Sequence, residues 1–358
     1  MINLRENHFH IIRLLAALEV VCVHSINHLE LTGPGISMLL KVLGFFPGVP
    51  IFFLISGYLI SLSYERNSKL KPYLTNRGLR IYPALWACLM VGILSIFWVT
   101  GLPEAFFTKK GAIWVFAQCT IGQFYNPEFL RGYGVGVLNG SLWTIPVELQ
   151  FYLFVPIIYA VFKKRIVGGL LFLVCLSIAS QEMFIYLKAA NNQEELALGF
   201  KLFGVSAIPY LWMFLIGILI QRFKEKLFPY VKNKGFIWLV VYLAITIGFG
   251  EKLRYSSNTP NPFTYILLAL TIFSLAYTFP KRGWGILKKH DLSYGVYIYH
   301  MLVINVLIEI WPDEFSSVHL LIVLGLTIGL AVISWTCIEK PTLKLKTGNY
   351  FKTSTRGI

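Results

Sequence analysis

Three groups of residues could do chemistry. The first is Arg13, Glu19 and His24, ionisable side chains within the apolar stretch 9–29, with His28 at its end. Ionisable groups inside an apolar span are costly and mark functional sites by default. Arg13 and His24 are eleven residues apart, three turns of an α-helix, so they share one face at a separation of roughly 16 Å. An imidazole there suits a general base, because its unperturbed pKa lies near neutrality. The pattern also fits an Arg reaching for headgroups and a His bonded to a neighbouring helix. Glu19 points to another face and has no evident partner. The second group is Arg77 and Arg80, in R-G-L-R directly before Ile81. Spacing of three puts both guanidinium groups on one side of a helix turn, a fork that grips phosphate oxygens in pairs. Basic flanking of a membrane helix explains the same pair. The third group is Glu148 and Gln150, in N-G-S-L-W-T-I-P-V-E-L-Q-F-Y. Two apart on a helix, they face directions about 200° apart. Glu148 needs a partner at that depth, and a buried cation or His would serve, fixing its orientation as a carboxylate does for a catalytic imidazole. Helix bridging through hydrogen bonds is the alternative role.

These residues must be positioned by membrane helices. Of 358 residues, 56% are apolar and 14% charged, against roughly 25% charged in a soluble domain. Mean hydropathy is +0.65. A soluble enzyme is excluded in favour of an all-α integral membrane protein, whose backbone must satisfy itself in helices. Apolar runs near the spanning length predict about ten transmembrane helices, at 9–29, 44–64, 81–100, 141–162, 166–187, 203–221, 236–250, 262–279, 291–311 and 319–338. Both termini then lie on one side. The termini and the connections 65–80, 163–165, 222–235 and 280–290 hold 23 of the 32 Lys and Arg residues, and the opposite connections hold eight. The positive-inside rule therefore makes both termini cytoplasmic. The net charge of +15 belongs to this bias and not to nucleic acid. The outer connection 101–140 carries an apolar patch at 112–122 that is too short to span, hence re-entrant or interfacial. Its glycines suit irregular backbone lining a cavity. Residues 1–345 read as one membrane domain and 346–358 as a short basic cytoplasmic tail. The N-terminus has no signal-peptide form. Five isolated cysteines, with no C-x-x-C pair, indicate neither a disulfide framework nor a metal site.

Six segments in order then resemble the acyltransferase 3 family of membrane acyltransferases. NHFHIIRLLAALEVVCVHS resembles its opening, a basic residue and a His with ten positions between them, filled here by Arg13 and His24. GVPIFFLISGYLI (48–60) is similar to its second helix, RGLRIYPALW (77–86) to its R-x-x-R segment, and SLWTIPVELQFYLFVP (141–156) to its E-x-Q segment. LSYGVYIYH (292–300) and IEKP (338–341) are similar to its closing segments. Three features depart from the pattern. His10 stands where the opening often has an acid, Met301 and Leu302 follow His300 where a Pro is usual, and Glu19 replaces an apolar residue.

The resemblance implies transfer of an acyl group, most often acetyl, from cytoplasmic acyl-CoA to a sugar hydroxyl of a cell-surface polysaccharide or its lipid-linked precursor. It implies no permanently bound cofactor, acetyl-CoA as donor substrate, a carbohydrate acceptor, and a bacterial inner membrane as location. On that reading His24 is general base or acyl-carrying nucleophile, with Arg13 and Glu148 beside it. Arg77, Arg80 and Arg13 bind acyl-CoA, whose pantetheine arm the Arg13–His24 stripe accommodates. The thioester oxygen develops negative charge and needs a donor, for which Trp143, Ser141, Tyr82 and Gln150 are candidates. His28 and His300 are expected to matter less than His24. A transporter or flippase of a polar solute is the rival reading. Membrane-bound O-acyltransferases are disfavoured, because the candidate His is in the first helix.

Overall fold

The computed structural model describes residues 7–190, 198–254, 256–279, 290–311 and 314–345. The tail 346–358 and most of the connection 280–290 lie outside the described residues. Among those described, regular structure is helical throughout and no strand is present. The chain runs α1 (Phe9–His28), α2 (Pro34–Gly44), α3 (Gly48–Arg66), α4 (Leu70–Val99), α5 (Lys109–Cys119), α6 (Thr144–Phe162), α7 (Ile166–Ala190) and α8 (Leu198–Gly204). It continues with α9 (Leu211–Arg222), α10 (Lys224–Val231), α11 (Gly235–Phe249), α12 (Pro262–Ala276), α13 (Ser293–Ile310) and α14 (Ser317–Ser334).

A helix overlaps each apolar run expected to be one. Among the described residues, six helical stretches are long and apolar enough to cross a membrane, or up to seven if the bent pair α10–α11 is one span. One of the six is the continuous stretch Gly140–Ala190, which holds both α6 and α7, while α9 and α12 are apolar but shorter. The boundaries depart from expectation for local reasons. The helix expected from 81 starts at Leu70, because the basic segment before it is helix-compatible even though it is too polar to register as apolar. The run expected over 203–221 breaks around 205–210, where Ile208 precedes Pro209 and is steered away from the helical region.

Side-chain contacts fix how the helices run. Arg13 of α1 meets Asp291, just before α13, and His24 meets His300 further along. The two helices are therefore parallel neighbours, tied at the start of α13 and again at its middle. α3 is antiparallel to them. Gly48, at its start, donates its backbone N–H to Glu19 Oε2 at 2.8 Å, and Tyr58 packs against Phe9. Glu19 thus has a partner, one of the amides left open at a helix N-terminus, where negative charge is favoured. α3 crosses α9 at Gly57 and Gly217, where a Cβ on either residue would run into the other helix's backbone at Phe214 or Leu54. Small residues let membrane helices approach to backbone contact.

The segment 101–143 folds over the far half of α13. Its irregular backbone is satisfied by side chains of that helix. Gly134 donates its N–H to Glu309 at 2.6 Å, Val135 to Asn305 at 3.0 Å, and Asn305 Nδ2 donates to the carbonyls of Val137 and Leu138 at 2.9 Å each. Gly134 has φ +51°, and a Cβ there would meet the Asn305 side chain. Gly134 thus serves close packing on α13, while Leu138, Asn139 and Leu142 of the same segment line a small cavity with Cys88 and Leu302. The apolar patch at 112–122 lies mostly in α5, an 11-residue helix.

Candidate active site

Five helices line a narrow channel of two adjoining pockets, with cavity volumes of about 40 and 60 Å³. Both are lined by Arg13 of α1, Ser56 of α3, Glu148 of α6 and Tyr294 of α13. One adds Arg77, Arg80 and Tyr152. The other adds Phe52, Thr144, Ser293 and Tyr297. The segments that carry the sequence motifs, far apart along the chain, therefore converge on one space.

At the first end the arginines are not equivalent. Asp291 Oδ2 accepts from Arg13 Nη1 at 3.0 Å and from Arg80 Nη2 at 2.5 Å. Arg80 also faces Glu339 at 3.8 Å, a buried carboxylate in the π-helical turn Trp335–Glu339 that follows α14. Arg13 has His10 rather than an acid one turn before it, and takes its carboxylate from Asp291 instead. Arg77 bonds Ser63 Oγ at 3.1 Å and lies over the rings of Tyr73 and Tyr152, 5.7 Å from each centroid. It has no carboxylate within 4.0 Å among the described residues, and its buried Nε has no hydrogen-bond partner. Of the three guanidinium groups, Arg77 keeps the most capacity for an incoming anion.

Glu148 accepts from Ser56 Oγ at 3.3 Å and from Tyr152 OH at 2.5 Å. Its bonded partners are thus hydroxyls, where a buried cation or His was expected. Arg13 and Arg77 share its cavity without pairing to it. The reason is geometric, since Tyr152 is one turn along the same helix and Ser56 lies on the facing helix. Gln150 points elsewhere, as its spacing required. Its amide donates to Pro146 O at 3.1 Å and accepts from Ala207 N at 3.0 Å, pinning α6 to the turn before α9.

Beyond the second end, His24 Nδ1 is 3.0 Å from His300 Nε2, and His300 Nδ1 is 2.7 Å from Tyr297 O. The His300 ring is 6.1 Å from that of Tyr297, which lines the cavity. His24 lines neither cavity and stands one residue layer past this end. His28 stacks edge-on to its other side at 5.7 Å.

The remaining candidates are placed apart from the channel. Ser141 is buried, with its hydroxyl donated to Asn139 Oδ1 at 2.7 Å and its carbonyl accepting from Tyr297 OH at 2.8 Å. Tyr82 lies beside Trp86. Trp143 opens into a separate groove with Tyr210, Lys188, Arg254 and Asn258. Three contributors went unnoticed in the sequence: Asp291, Glu339 and Thr144, whose Oγ1 is 2.7 Å from Tyr297 OH. Asp291 had a signal, an acid immediately before an apolar span in a chain short of acids. Thr144 had none.

Residues 7–336 match the family described as an acyltransferase domain. The chain belongs to the acyltransferase 3 family. Nodulation protein 10 of Rhizobium leguminosarum bv. viciae is 33% identical, covering 96% of this chain and 94% of its own length. The O-acetyl transferase of Shigella phage Sf6 is 26% identical, covering 94% and 96%. Peptidoglycan O-acetyltransferase OatA of Listeria monocytogenes is 24% identical over 86% of this chain and 53% of its own length, so the likeness spans about half of that protein. No solved structure matches. As an acyltransferase 3 protein with span-length apolar helices, the chain is a membrane acyltransferase.

Proposed function

We propose that this acyltransferase 3 protein moves an acyl group, acetyl in the first instance, from acyl-CoA to a sugar hydroxyl, with His24 as general base. The observation that carries the reading is the channel itself, with three arginines at one end and the His24–His300 pair just beyond the other. A coenzyme A thioester has that polarity, a polyanionic head and a neutral reactive tail. Arg77, with an unpaired Nε, suits the phosphates, and Arg80 and Arg13 stand beside it. The pantetheine arm would widen the narrow channel between Ser56, Glu148 and Tyr294 as it enters. At the far end the acceptor hydroxyl loses its proton to His24 Nε2 as its oxygen attacks the thioester carbon. The carbon–sulfur bond then breaks, and the thiolate leaves with a proton. Thr144 and the Tyr297 hydroxyl are the polar groups nearest the developing oxyanion, and would exchange their bonds to each other and to the Ser141 carbonyl for it.

The printed names of two relatives, an O-acetyl transferase and a peptidoglycan O-acetyltransferase, support an oxygen acceptor on a carbohydrate of the cell envelope, polysaccharide or lipid-linked precursor. The groove with Trp143 and Tyr210 supports it too, offering aromatic faces beside the polar groups of Ser257, Asn258 and Thr259. In this reading ten helices cross a bacterial inner membrane, both termini are cytoplasmic, and the arginine end of the channel faces the cytoplasm.

Purified protein in nanodiscs is incubated with radiolabelled acetyl-CoA and candidate glycans. Label should appear on a glycan, and His24→Ala should reduce it by about 10²–10⁴, the range for a missing general base, at an unchanged amount of inserted protein. Uptake of solute into proteoliposomes without labelled product would replace the enzyme by a transporter. Full activity of the His24 variant would remove the base assignment.

A further inference from the structure

The hydrogen bonds around His300 settle which nitrogen of each imidazole carries a proton. A carbonyl oxygen only accepts, so the 2.7 Å contact between His300 Nδ1 and Tyr297 O requires a hydrogen on that nitrogen. A neutral His300 then has a bare Nε2. The 3.0 Å contact from there to His24 Nδ1 requires the hydrogen to sit on His24. A neutral His24 with its hydrogen on Nδ1 has a lone pair on Nε2. The chain of donors thus runs from His24 Nδ1–H to His300 Nε2 and from His300 Nδ1–H to the Tyr297 carbonyl, and each ring's form is fixed by the bond its other nitrogen makes.

The surroundings leave this arrangement intact. His300 is fully buried and Tyr297 nearly so, so water does not compete for the relay. His24 is half-buried, its Nδ1 is engaged by His300, and no hydrogen bond among the described residues engages its Nε2, which leaves that nitrogen open to an incoming group. The other titratable ring against it is His28, in edge contact at 5.7 Å. The Nδ1–H form is the minor one for a free imidazole in water. A half-buried His24 without His300 would revert to the Nε2–H form and present a donor to the hydroxyl instead of a base.

We propose that His300 is a positioning residue for catalysis, holding His24 in the Nδ1–H form with Nε2 turned out as the base. The proposal deepens the assignment of His24 as general base and rests on it. During transfer the hydroxyl proton goes to His24 Nε2, the oxygen forms the new bond to the acyl carbon, and the carbon–sulfur bond breaks. The resulting imidazolium keeps its Nδ1–H bond to the neutral His300, which stabilises the cation without taking charge itself. The proton returns from Nε2 to the departing thiolate.

The test joins a spectroscopic and a kinetic measurement on the full-length protein in nanodiscs. Nitrogen-15 labelling of histidine, with His24→Gln to assign the signal, reports which nitrogen of His24 is protonated at neutral pH. The wild type should show Nδ1–H and His300→Phe should show Nε2–H. His300→Gln restores one donor and one acceptor at about the same place, and should return His24 to Nδ1–H. With acetyl-CoA and the labelled glycan, His300→Phe should lower kcat by roughly 10²-fold at an unchanged donor KM, and His300→Gln should recover most of the loss. A wild-type His24 in the Nε2–H form, or His300→Phe at wild-type kcat while His24→Ala is inactive, overturns the positioning role. An active His24→Ala overturns the base assignment as well, and is thereby told apart from failure of the relay alone.

Discussion

Asp291 gives one carboxylate oxygen to two arginines from two helices, and its other oxygen accepts from Ser293 Oγ at 2.6 Å. Burial by itself would raise this carboxyl, yet the Arg13 and Arg80 guanidiniums and the Ser293 bonds hold it well below the usual carboxylate range. A depressed acid contributes stability that is present above its unfolded pKa, about 3.9, and is lost only as pH falls through the lower folded value. Asp291→Asn should therefore lower stability by about 1–3 kcal/mol at neutral pH, since two arginines lose their counter-charge in a partly shielded site. The gap to wild type should be the same at pH 5 as at pH 7, read by thermal unfolding in detergent. A gap that has already closed at pH 5 would mean that the carboxyl is held above the ordinary range and not below it. Arg13 and His24 were legible in the sequence because charge inside an apolar run is conspicuous. Their partners were not, because Asp291 and His300 lie more than 270 residues away and nothing in local spacing encodes that pairing. Glu148 shows the same limit. Its depth was legible, whereas its hydroxyl partners depend on how α3 meets α6.

At the scale of elements, the crossing of α3 and α9 sets the wall of the channel, since Phe53 and Ser56 line it from one turn along α3. The apolar runs disclosed that both helices exist, and the glycines within them disclosed nothing about which faces meet. The structure brings Gly57 against the Phe214 backbone and Gly217 against that of Leu54. Gly57→Ala forces the two backbones apart, and overpacking of this kind costs about 1–3 kcal/mol. Gly168→Ala in α7 is the comparison, because nothing lies within 4 Å of an added Cβ there and Ala is the better helix former. Thermal unfolding should show a lowered midpoint for the first and an equal or higher one for the second. Equal midpoints for Gly57→Ala and wild type would show that the crossing can widen without loss. Because the channel wall moves with the crossing, donor KM should rise in the same variant.

For the whole molecule, direction is the quantity that joins fold to function. Contacts make α1, α4 and α13 parallel, with Arg80 and Tyr294 at matching heights, and make α3 and α6 run the other way, with Ser56 beside Glu148 and Glu65 beside Tyr159. The segment just before α4 and the residue just before α13 therefore lie at the same end as the start of α1, and 101–140 lies at the opposite end. The charge bias assigns the first end to the cytoplasm, which is where a polyanionic acyl-CoA donor would meet Arg77. With the five native cysteines replaced, single cysteines are introduced at Lys69, Lys226, Glu104 and Arg131 and treated on intact spheroplasts with an impermeant thiol reagent. Lys69, Glu104 and Arg131 are all exposed on the protein, so protection at 69 reports the membrane and not burial. Positions 104 and 131 should label at once, and 69 and 226 only after the membrane is opened. The reversed pattern would put the arginines outside, beyond the reach of cytoplasmic acyl-CoA, and the proposed donor would fail along with the orientation. Labelling of 69 and 104 together from outside would instead show that α4 does not cross, and the channel would then lack the membrane-spanning wall that carries Arg77 and Arg80.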